Sequence, residues 1–419
     1  MSYVFLFLTG FLISRLSVRY ELVEQFFARL FHGRNHSVQR FLFYLLAAAA
    51  IVSMFTPNFI AALTLLPMLE TLRQSFEQNH GEKIARRLTT AVVIIVIYGC
   101  NIGGMGSLVG SPANAFMLAQ MEIFGVAGRE KINFLSWFGW SLPLVGVLLA
   151  MAWTQVAFLF IPKQFRREQI ELPQFHESRL LQGRAKTAWH MLVLWFAFWT
   201  LHSVLQILLP LSEPNFNLVN FKIGFTLWDQ LATVFGVIYL ALLFAPIFKG
   251  EGEERRALLK FSDSFNKLPI RAFLFVLLVL AFSFVLIKLK VPEWLGSHLV
   301  EILPQNVPKL VLYFCLLFIT TMVTEFVSNT TVALVLFPLV HALALSLNLN
   351  PLVCFLAVGL ASTNAFMTPI GTPVNALLYG GVKNVSLAMM VASGLLLNFT
   401  SAVWMALALG YWVPRYYGL

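Results

Sequence analysis

Long apolar runs, several of them broken at the middle by small polar residues, dominate the sequence. Continuous apolar stretches lie over roughly 134–160, 188–210, 228–248, 271–289 and 391–412. Each is long enough as a helix to cross a hydrocarbon core of about 30 Å, which takes about 20 residues. Four further apolar regions are interrupted. Thr56-Pro57-Asn58 breaks 41–69 and Ser328-Asn329-Thr330 breaks 310–347, a pattern that predicts two helical hairpins. Asn101-Ile102-Gly103-Gly104 and Gly110-Ser111-Pro112 break 88–125, while Ser362-Thr363-Asn364 and Gly371-Thr372-Pro373 break 351–388, predicting two discontinuous helices. Lipid cannot hydrogen-bond an unwound backbone, so breaks of this kind predict loops buried in protein or facing a polar cavity. The opening stretch, 3–14, is too short to span alone, and no cleavable signal is expected there. Residues 17–36 mix Leu, Val and Phe with Arg and Glu and predict an amphipathic helix on the membrane surface. Residues 291–308, with Pro292, Trp294, His298 and Glu301, predict a counterpart on the opposite face, and 162–187 a polar connector.

Composition sharpens this picture. Of 419 residues, 59% are hydrophobic and 11% charged, against about 25% charged in ordinary soluble domains. That balance excludes a soluble enzyme, a disordered chain and a secreted disulfide scaffold. Cys100, Cys315 and Cys354 all lie in apolar stretches without zinc spacing. The net charge of +10 is explained by topology. If the first segment runs from outside to inside and both 41–69 and 310–347 turn back within the membrane, roughly three-quarters of the 29 Lys and Arg fall on the cytoplasmic side. A full crossing by either hairpin would flip every later loop and remove the asymmetry. The charge pattern therefore predicts two re-entrant hairpins, and it makes nucleic acid a poor partner.

The chain also contains itself twice. Asn58 is followed by Ala62, Leu63, Leu65 and Pro67, and Asn329 by Ala333, Leu334, Leu336 and Pro338, at the same offsets. Gly110-Ser111-Pro112-Ala113-Asn114-Ala115 is answered by Gly371-Thr372-Pro373-Val374-Asn375-Ala376. By the charge count the first hairpin enters from the cytoplasm and the second from outside, an inverted repeat of the kind found in secondary transporters. The predicted fold is an all-α polytopic membrane protein with inverted-topology repeats, two re-entrant hairpins and two discontinuous helices. The first repeat covers 1–160. A connector with an extra span at 188–210 covers 161–227, and the second repeat covers 228–419. Unwound turns expose carbonyls and Asn or Ser oxygens that can replace the hydration shell of Na⁺, and half-helix N-termini that can hold an anion. With no intramembrane Lys or Arg in these segments, bound cations would supply the balancing charge.

Thr324-Glu325-Phe326-Val327-Ser328-Asn329-Thr330-Thr331-Val332-Ala333 closely resembles the second Ser-Asn-Thr signature of the divalent-anion:sodium symporter family. Ala365-Phe366-Met367-Thr368-Pro369-Ile370-Gly371-Thr372-Pro373-Val374-Asn375-Ala376 is similar to the loop that follows it, and Asn101-Ile102-Gly103-Gly104 through Asn114 to the first unwound loop. The resemblance covers about 1–160 and 228–412. It implies an elevator-type carrier of the cell inner membrane, usually a homodimer, that moves dicarboxylates, citrate or sulfate with Na⁺ and no organic cofactor. Carried over, the sodium residues are Asn58, Gly110, Thr324, Ser328, Asn329 and Gly371, and the substrate residues are Asn58, Ser111, Ser328, Asn329, Thr330, Thr372 and Pro373. Two departures stand out. Pro57-Asn58-Phe59 replaces the family's first Ser-Asn-Thr, leaving Thr56 as the neighbouring hydroxyl. The family also carries two further spans before the segment that opens this sequence, and 188–210 reads as a substitute span.

Glu325, an acid at membrane depth, is functional by default or else hydrogen-bonded to neighbouring backbone. His190, His202 and His341 lie apart, without the spacing of a metal site. Two alternatives stay open: a proton-coupled efflux or antiport carrier, and a non-transporting anion-binding membrane protein. A membrane enzyme would need an intramembrane His beside Asp or Glu, or an H-E-x-x-H helix, and neither is present.

Overall fold

The computed structural model describes residues 2–31, 36–170, 183–209, 215–218, 221–224, 226–249, 255–261, 281, 285, 288–291, 294, 297–298, 301 and 307–418. Helices among them are Ser2–Arg19 (α1), Leu22–Phe31 (α2), Val38–Ser53 (α3), Asn58–Asn79 (α4), Glu82–Gly103 (α5), Pro112–Ile123 (α6), Phe134–Thr154 (α7), Arg184–Leu208 (α8) and Leu227–Phe244 (α9). Lys309–Thr324 (α10), Asn329–Ser346 (α11), Pro351–Ala361 (α12), Pro373–Gly381 (α13), Leu387–Leu407 (α14) and Val413–Tyr417 (α15) follow. Two helices continue in π-helical turns, α7 through Gln155–Phe160 and α14 through Ala408–Trp412. Short antiparallel pairs join His36–Ser37 to Gln169–Ile170, Asn215–Leu218 to Phe221–Gly224, and Phe248–Lys249 to Arg255–Arg256. Six of the described helices, α5, α7, α8, α9, α11 and α14, are long and apolar enough to cross a membrane. The chain is an all-α polytopic membrane protein.

The breaks read from sequence are local in origin. Ser111 and Thr372 cap α6 and α13 through their hydroxyls, and each is followed by a proline at the first helical position, where a missing N–H costs nothing. Helices α4 and α11 begin differently, after Pro57 and Ser328, with no side-chain cap. Pro67 and Pro338 sit inside these two helices, and each removes one N–H from the ladder.

Several boundaries differ from the sequence reading. The predicted surface helix over 17–36 is divided: 17–19 complete α1, Glu21 turns the chain at φ 52°, and α2 starts at Leu22, bent by 63°. The second arm of the predicted hairpin 41–69 runs on to Asn79. Its polar end is held by Arg73, which donates to Glu70 at 2.7 Å and also to Glu77, pairs at helical spacing. Those bonds hold both carboxyls below their ordinary range. Most of the predicted span 271–289 and of the predicted helix 291–308, and 171–182 of the connector, lie outside the described residues.

The chain divides into two compact units. One comprises 1–32, 133–137 and 175–269. In it α1 packs on α8 and α9, with the Phe5 ring over Gly236 and the Trp195 indole donating to Thr9 Oγ1 at 2.8 Å. The other comprises 33–132, 138–174 and 270–419 and carries every repeated motif. There α3 and α4 pack on α5, and α10 and α11 on α12. Helix α4 also lies against α13, and α11 against α6, so each hairpin packs on the broken helix of the other half. The first unit thus gathers α1 with α8 and α9 from separate stretches of the chain, while the motifs of both halves share the second unit.

The α3–α5 contact depends on close backbone approach. A Cβ at Gly103 would stand 2.7 Å from Ala50 Cα, nearer than atoms can pack. Gly103→Val is therefore expected to destabilise by roughly 1–3 kcal/mol, the usual cost of overpacking, and to lower the thermal midpoint of the purified protein followed by tryptophan fluorescence. An unchanged midpoint would contradict this packing.

Candidate functional site

In the first half the chain leaves α3 at Ser53 and re-enters helix at Asn58. Ser53 is buried, and its hydroxyl donates to Asn58 Oδ1 at 2.9 Å. Asn58 in turn lies on the unwound loop after α5: a Cβ at Gly104 would be 3.1 Å from Asn58 Nδ2 and 3.2 Å from Oδ1. Gly110 sits against the Gly104 carbonyl. The loop itself is tied by Asn114, on the first turn of α6, whose Nδ2 donates to the carbonyls of Gly104 at 3.3 Å and Ser107 at 2.9 Å, ten and seven positions upstream.

The second half repeats these bonds. Thr324 Oγ1 donates to Asn329 Oδ1 at 2.8 Å, across the same five-residue interval that separates Ser53 from Asn58. It also lies 2.9 Å from the Ser362 carbonyl in the second unwound loop. Asn375 Nδ2 donates to the carbonyls of Ala365 at 2.9 Å and Thr368 at 2.8 Å, again ten and seven positions upstream. Thr372 accepts from Asn375 N and donates to Asn375 Oδ1. Asn101 links the halves, donating to the Ala365 carbonyl at 2.7 Å and to Asn375 Oδ1 at 3.2 Å. The Oδ1 atoms of Asn101, Asn114, Asn364 and Asn398 are buried without hydrogen-bond partners among the described residues. Buried acceptors left unmet are costly, so these oxygens are available to a cation or to water.

One position breaks the symmetry. Glu325 is fully buried, and its carboxylate accepts from the backbone N–H of Phe366 at 2.7 Å, Met367 at 2.8 Å and Thr368 at 2.8 Å, and from Asn398 Nδ2 at 2.7 Å. Thr368 Oγ1 donates back to the Glu325 carbonyl. In the first half Ser107 Oγ donates to the Met54 carbonyl in the same way, and Met54 holds the corresponding place. Its thioether packs on Gly106, and the N–H groups of Met105 and Gly106 close ordinary helical turns onto Ile102 and Gly103 instead. One loop is thus clamped by a charge and the other by packing.

The sequence-derived residues fall into place unevenly. Asn58, Thr324 and Asn329 join the two hydroxyl–carboxamide pairs. Ser111 and Thr372 are caps, Gly110 lies beside Gly104, and Gly371 lies beside Glu325 Oε2. Ser328 is exposed and Thr330 half-buried on the first turn of α11, and Pro373 is exposed at the start of α13. Thr56 is not the hydroxyl beside Asn58: it donates to the Val52 carbonyl at 2.9 Å. Ser53 takes that role and was missed, although Thr324, five residues before Asn329, signals it. Asn114 and Asn375 were legible only as parts of a repeated string. His202 Nε2 lies 3.0 Å from the Trp228 carbonyl, and the His341 ring stacks on Phe124.

Comparison with known proteins follows the same lines. The family profile described as the sodium:sulfate symporter transmembrane region matches residues 1–416. The sodium-dependent dicarboxylate transporter SdcS of Staphylococcus saprophyticus is 26% identical over 423 residues, spanning 99% of this chain and 77% of that protein. Its counterpart in Staphylococcus aureus is 25% identical over the same shares. Among solved structures, the YdaH transporter of Alcanivorax borkumensis aligns with a TM-score of 0.57 at 14% identity, covering 98% of this chain and 85% of that one. MtrF of Neisseria gonorrhoeae, described with a class of antimetabolite efflux pumps, aligns at 0.62 and 13% identity, covering 98% and 80%. These two likenesses bear on the fold alone.

The Glu325 clamp has a direct consequence. Glu325→Gln turns one acceptor oxygen into a donor facing N–H groups and is expected to cost roughly 2 kcal/mol or more. The midpoint in a thermal unfolding scan should fall, while Met54→Leu, which keeps an apolar side chain at the matching place, should leave it nearly unchanged. A Glu325→Gln protein as stable as the parent would remove the clamp.

Proposed function

The chain belongs to the sodium:sulfate symporter family, and from that premise we propose a secondary carrier that moves a small divalent anion, a dicarboxylate or inorganic oxyanion, coupled to Na⁺. The observation that carries the reading is the matched pair Ser53–Asn58 and Thr324–Asn329. Each offers a hydroxyl and a carboxamide oxygen beside unwound backbone, a neutral all-oxygen donor set that suits a small hard cation. Ser53, Asn58 and the Gly104–Gly110 backbone would hold one Na⁺. Thr324, Asn329 and the Ser362 backbone would hold the other, with Ser328 and Gly371 completing the set the family implies. Ser53 supplies the hydroxyl that Pro57 withholds.

The anion is read between the same elements. Helices α4 and α11 start without side-chain caps, so their first N–H groups and positive dipole ends are open to a negative ligand. Asn58, Ser328, Asn329 and Thr330 stand at those starts, and Ser111, Thr372 and Pro373 at the starts of α6 and α13. With Pro57 and Phe59 in the first half, hydroxyl contacts to the anion come from the second half. A cation here would bind a pair already joined to each other and to the 362–371 loop by hydrogen bonds, and would fix the start of α11 for the anion. Occupancy by cations also supplies the positive charge that the starts of these helices lack in side chains. The same chemistry explains coupling: the anion site is complete only when the carboxamides are held.

Topology and assembly complete the reading. Helices α3 and α10 have 16 residues each, about 24 Å of helix, short of a 30 Å core, which supports re-entrant hairpins in inverted repeats. Basic loops then face the cytoplasm from an inner membrane. One compact unit carries every motif and the other none, which favours an elevator in which the motif-bearing unit moves as a body in a homodimer.

The test is uptake of labelled succinate and sulfate into proteoliposomes. A sodium gradient should drive uptake of at least one of them. Ser53→Ala, Asn329→Ala and Thr372→Ala should each lower sodium-dependent uptake roughly tenfold or more, the effect of losing about 1.4 kcal/mol of binding. Uptake that ignores Na⁺ and responds to a pH gradient would instead favour the proton-coupled carrier.

A further inference from the structure

A second polar site lies away from the repeated motifs, at the C-terminal end of α7. Here α7 leaves its α-helical path for the π-turns of Gln155–Phe160, at the end of the membrane-length stretch Phe134–Phe160. The backbone around this end is well held. His36–Ser37 pairs with Gln169–Ile170, Val38 N donates to the Glu168 carbonyl at 2.9 Å, and Gln39 N donates to the Arg166 carbonyl at 3.1 Å. Between these segments opens a cleft of about 580 Å³ lined by Ser37, Gln39, Arg40, Trp153, Arg167 and Gln169.

Four arginines surround this end, and they divide into two kinds. Arg87 donates to the Phe160 carbonyl at 2.5 Å, and Arg166 to the Ile161 carbonyl at 3.0 Å, so both serve the unwound helix end. Arg40 and Arg167 are exposed, line the cleft, and have no ion pair or hydrogen bond among the described residues. Beside them runs an exposed aromatic strip. The Trp153 indole donates to the Gln39 carbonyl at 2.9 Å, and its ring meets Phe43 and Phe158 edge to face, each at 5.6 Å. Phe43, Phe158 and Leu159 are exposed.

Two unpaired guanidiniums, polar amides at the wall and an apolar strip leading away from them match one kind of ligand. Guanidinium forks grip phosphate oxygens bidentately, amides suit glycerol hydroxyls, and aromatic side chains at a membrane boundary accept acyl chains. We propose that this cleft binds the phosphodiester headgroup of an anionic phospholipid, with its acyl chains along Phe43, Trp153 and Phe158. Basic pockets between helices at the membrane surface hold acidic lipids on the same principle. The site is distinct from the transport reading above and does not depend on it.

Native mass spectrometry of the purified full chain, titrated with phosphatidylglycerol or phosphatidylcholine, tests this. The parent protein should retain phosphatidylglycerol in preference. Arg40→Gln/Arg167→Gln should weaken that binding roughly tenfold or more, each arginine near a membrane surface contributing about a few-fold. Lys83→Gln/Arg86→Gln, which removes equal charge from exposed positions outside the cleft, should retain it. Comparable melting of the three proteins in neutral detergent would show that folding is unaffected, and a misfolded double variant is replaced by the single variants Arg40→Gln and Arg167→Gln, each expected to weaken phosphatidylglycerol binding a few-fold. Three results would overturn the proposal: equal retention of the two lipids by the parent, unchanged binding by the cleft variants, or displacement of the lipid by millimolar inorganic phosphate, which would mark a soluble-anion site.

Discussion

Unwound backbone inside an apolar protein must find hydrogen-bond partners, and most of what distinguishes this chain follows from how it does so. Helices α5 and α12 both stop within buried surroundings and are followed by loops whose carbonyls no helix can use. In each case an asparagine on the next helix, Asn114 or Asn375, reaches back to two of those carbonyls. A carboxamide is suited to the task because Nδ2 carries two donors while Oδ1 stays available as an acceptor. The loop is thereby held open in a defined shape; Asn375 Oδ1 accepts from Thr372 and Asn101, while Asn114 Oδ1 is left over among the described residues. Transmembrane segments tolerate such loops only where protein or water supplies partners, so the asparagines are conditions for the fold as much as features of a site.

The two halves meet this constraint with different chemistry. Glu325 draws three consecutive backbone N–H groups of the second loop onto one carboxylate. Met54, at the matching place, leaves the first loop to close short helical turns. A buried charge is tolerable here because every oxygen has a donor; removing one partner would leave a desolvated charge, which costs far more than the bond itself contributes. The second loop is therefore held by a side-chain charge and the first by its own backbone turns. The second half also keeps the hydroxyls of Ser328-Asn329-Thr330, whereas the first has Pro57 and Phe59 around Asn58 and pairs that asparagine with Ser53.

Interleaving of the repeats gives the motif-bearing unit its coherence. Each hairpin packs on the broken helix of the other half, and Asn101 ties the first half to the second loop directly. In the proposed carrier, coupling between ions and anion would need no long relay, because Asn58 and Asn329, the carboxamides proposed to hold the cations, are themselves the first residues of the helices proposed to hold the anion.

Much was legible in the sequence, and the division is physical. Hydrophobic run length, the Pro and Gly breaks, and the repeated strings from Asn58 and Asn329 set the helices, their interruptions and the pseudo-symmetry, because helix periodicity, proline's missing N–H and lipid's inability to hydrogen-bond are local rules. Ends proved less legible: α4 runs past its apolar stretch because Arg73 and its two glutamates extend it, and 17–36 splits where Glu21 turns the chain. What only the tertiary structure decided was partnership. Nothing local distinguishes Ser53 from Thr56 as the hydroxyl beside Asn58. That depends on which one faces the neighbouring loop, since Thr56 can close onto its own helix at Val52 and Ser53 points at Asn58. Likewise Glu325 reads as a costly acid until the fold brings the N–H groups of Phe366, Met367 and Thr368 to it from a segment distant in sequence. The chain's own letters determine where helices start and stop; which buried polar atoms satisfy one another is a property of packing, because hydrogen bonds form only at contact.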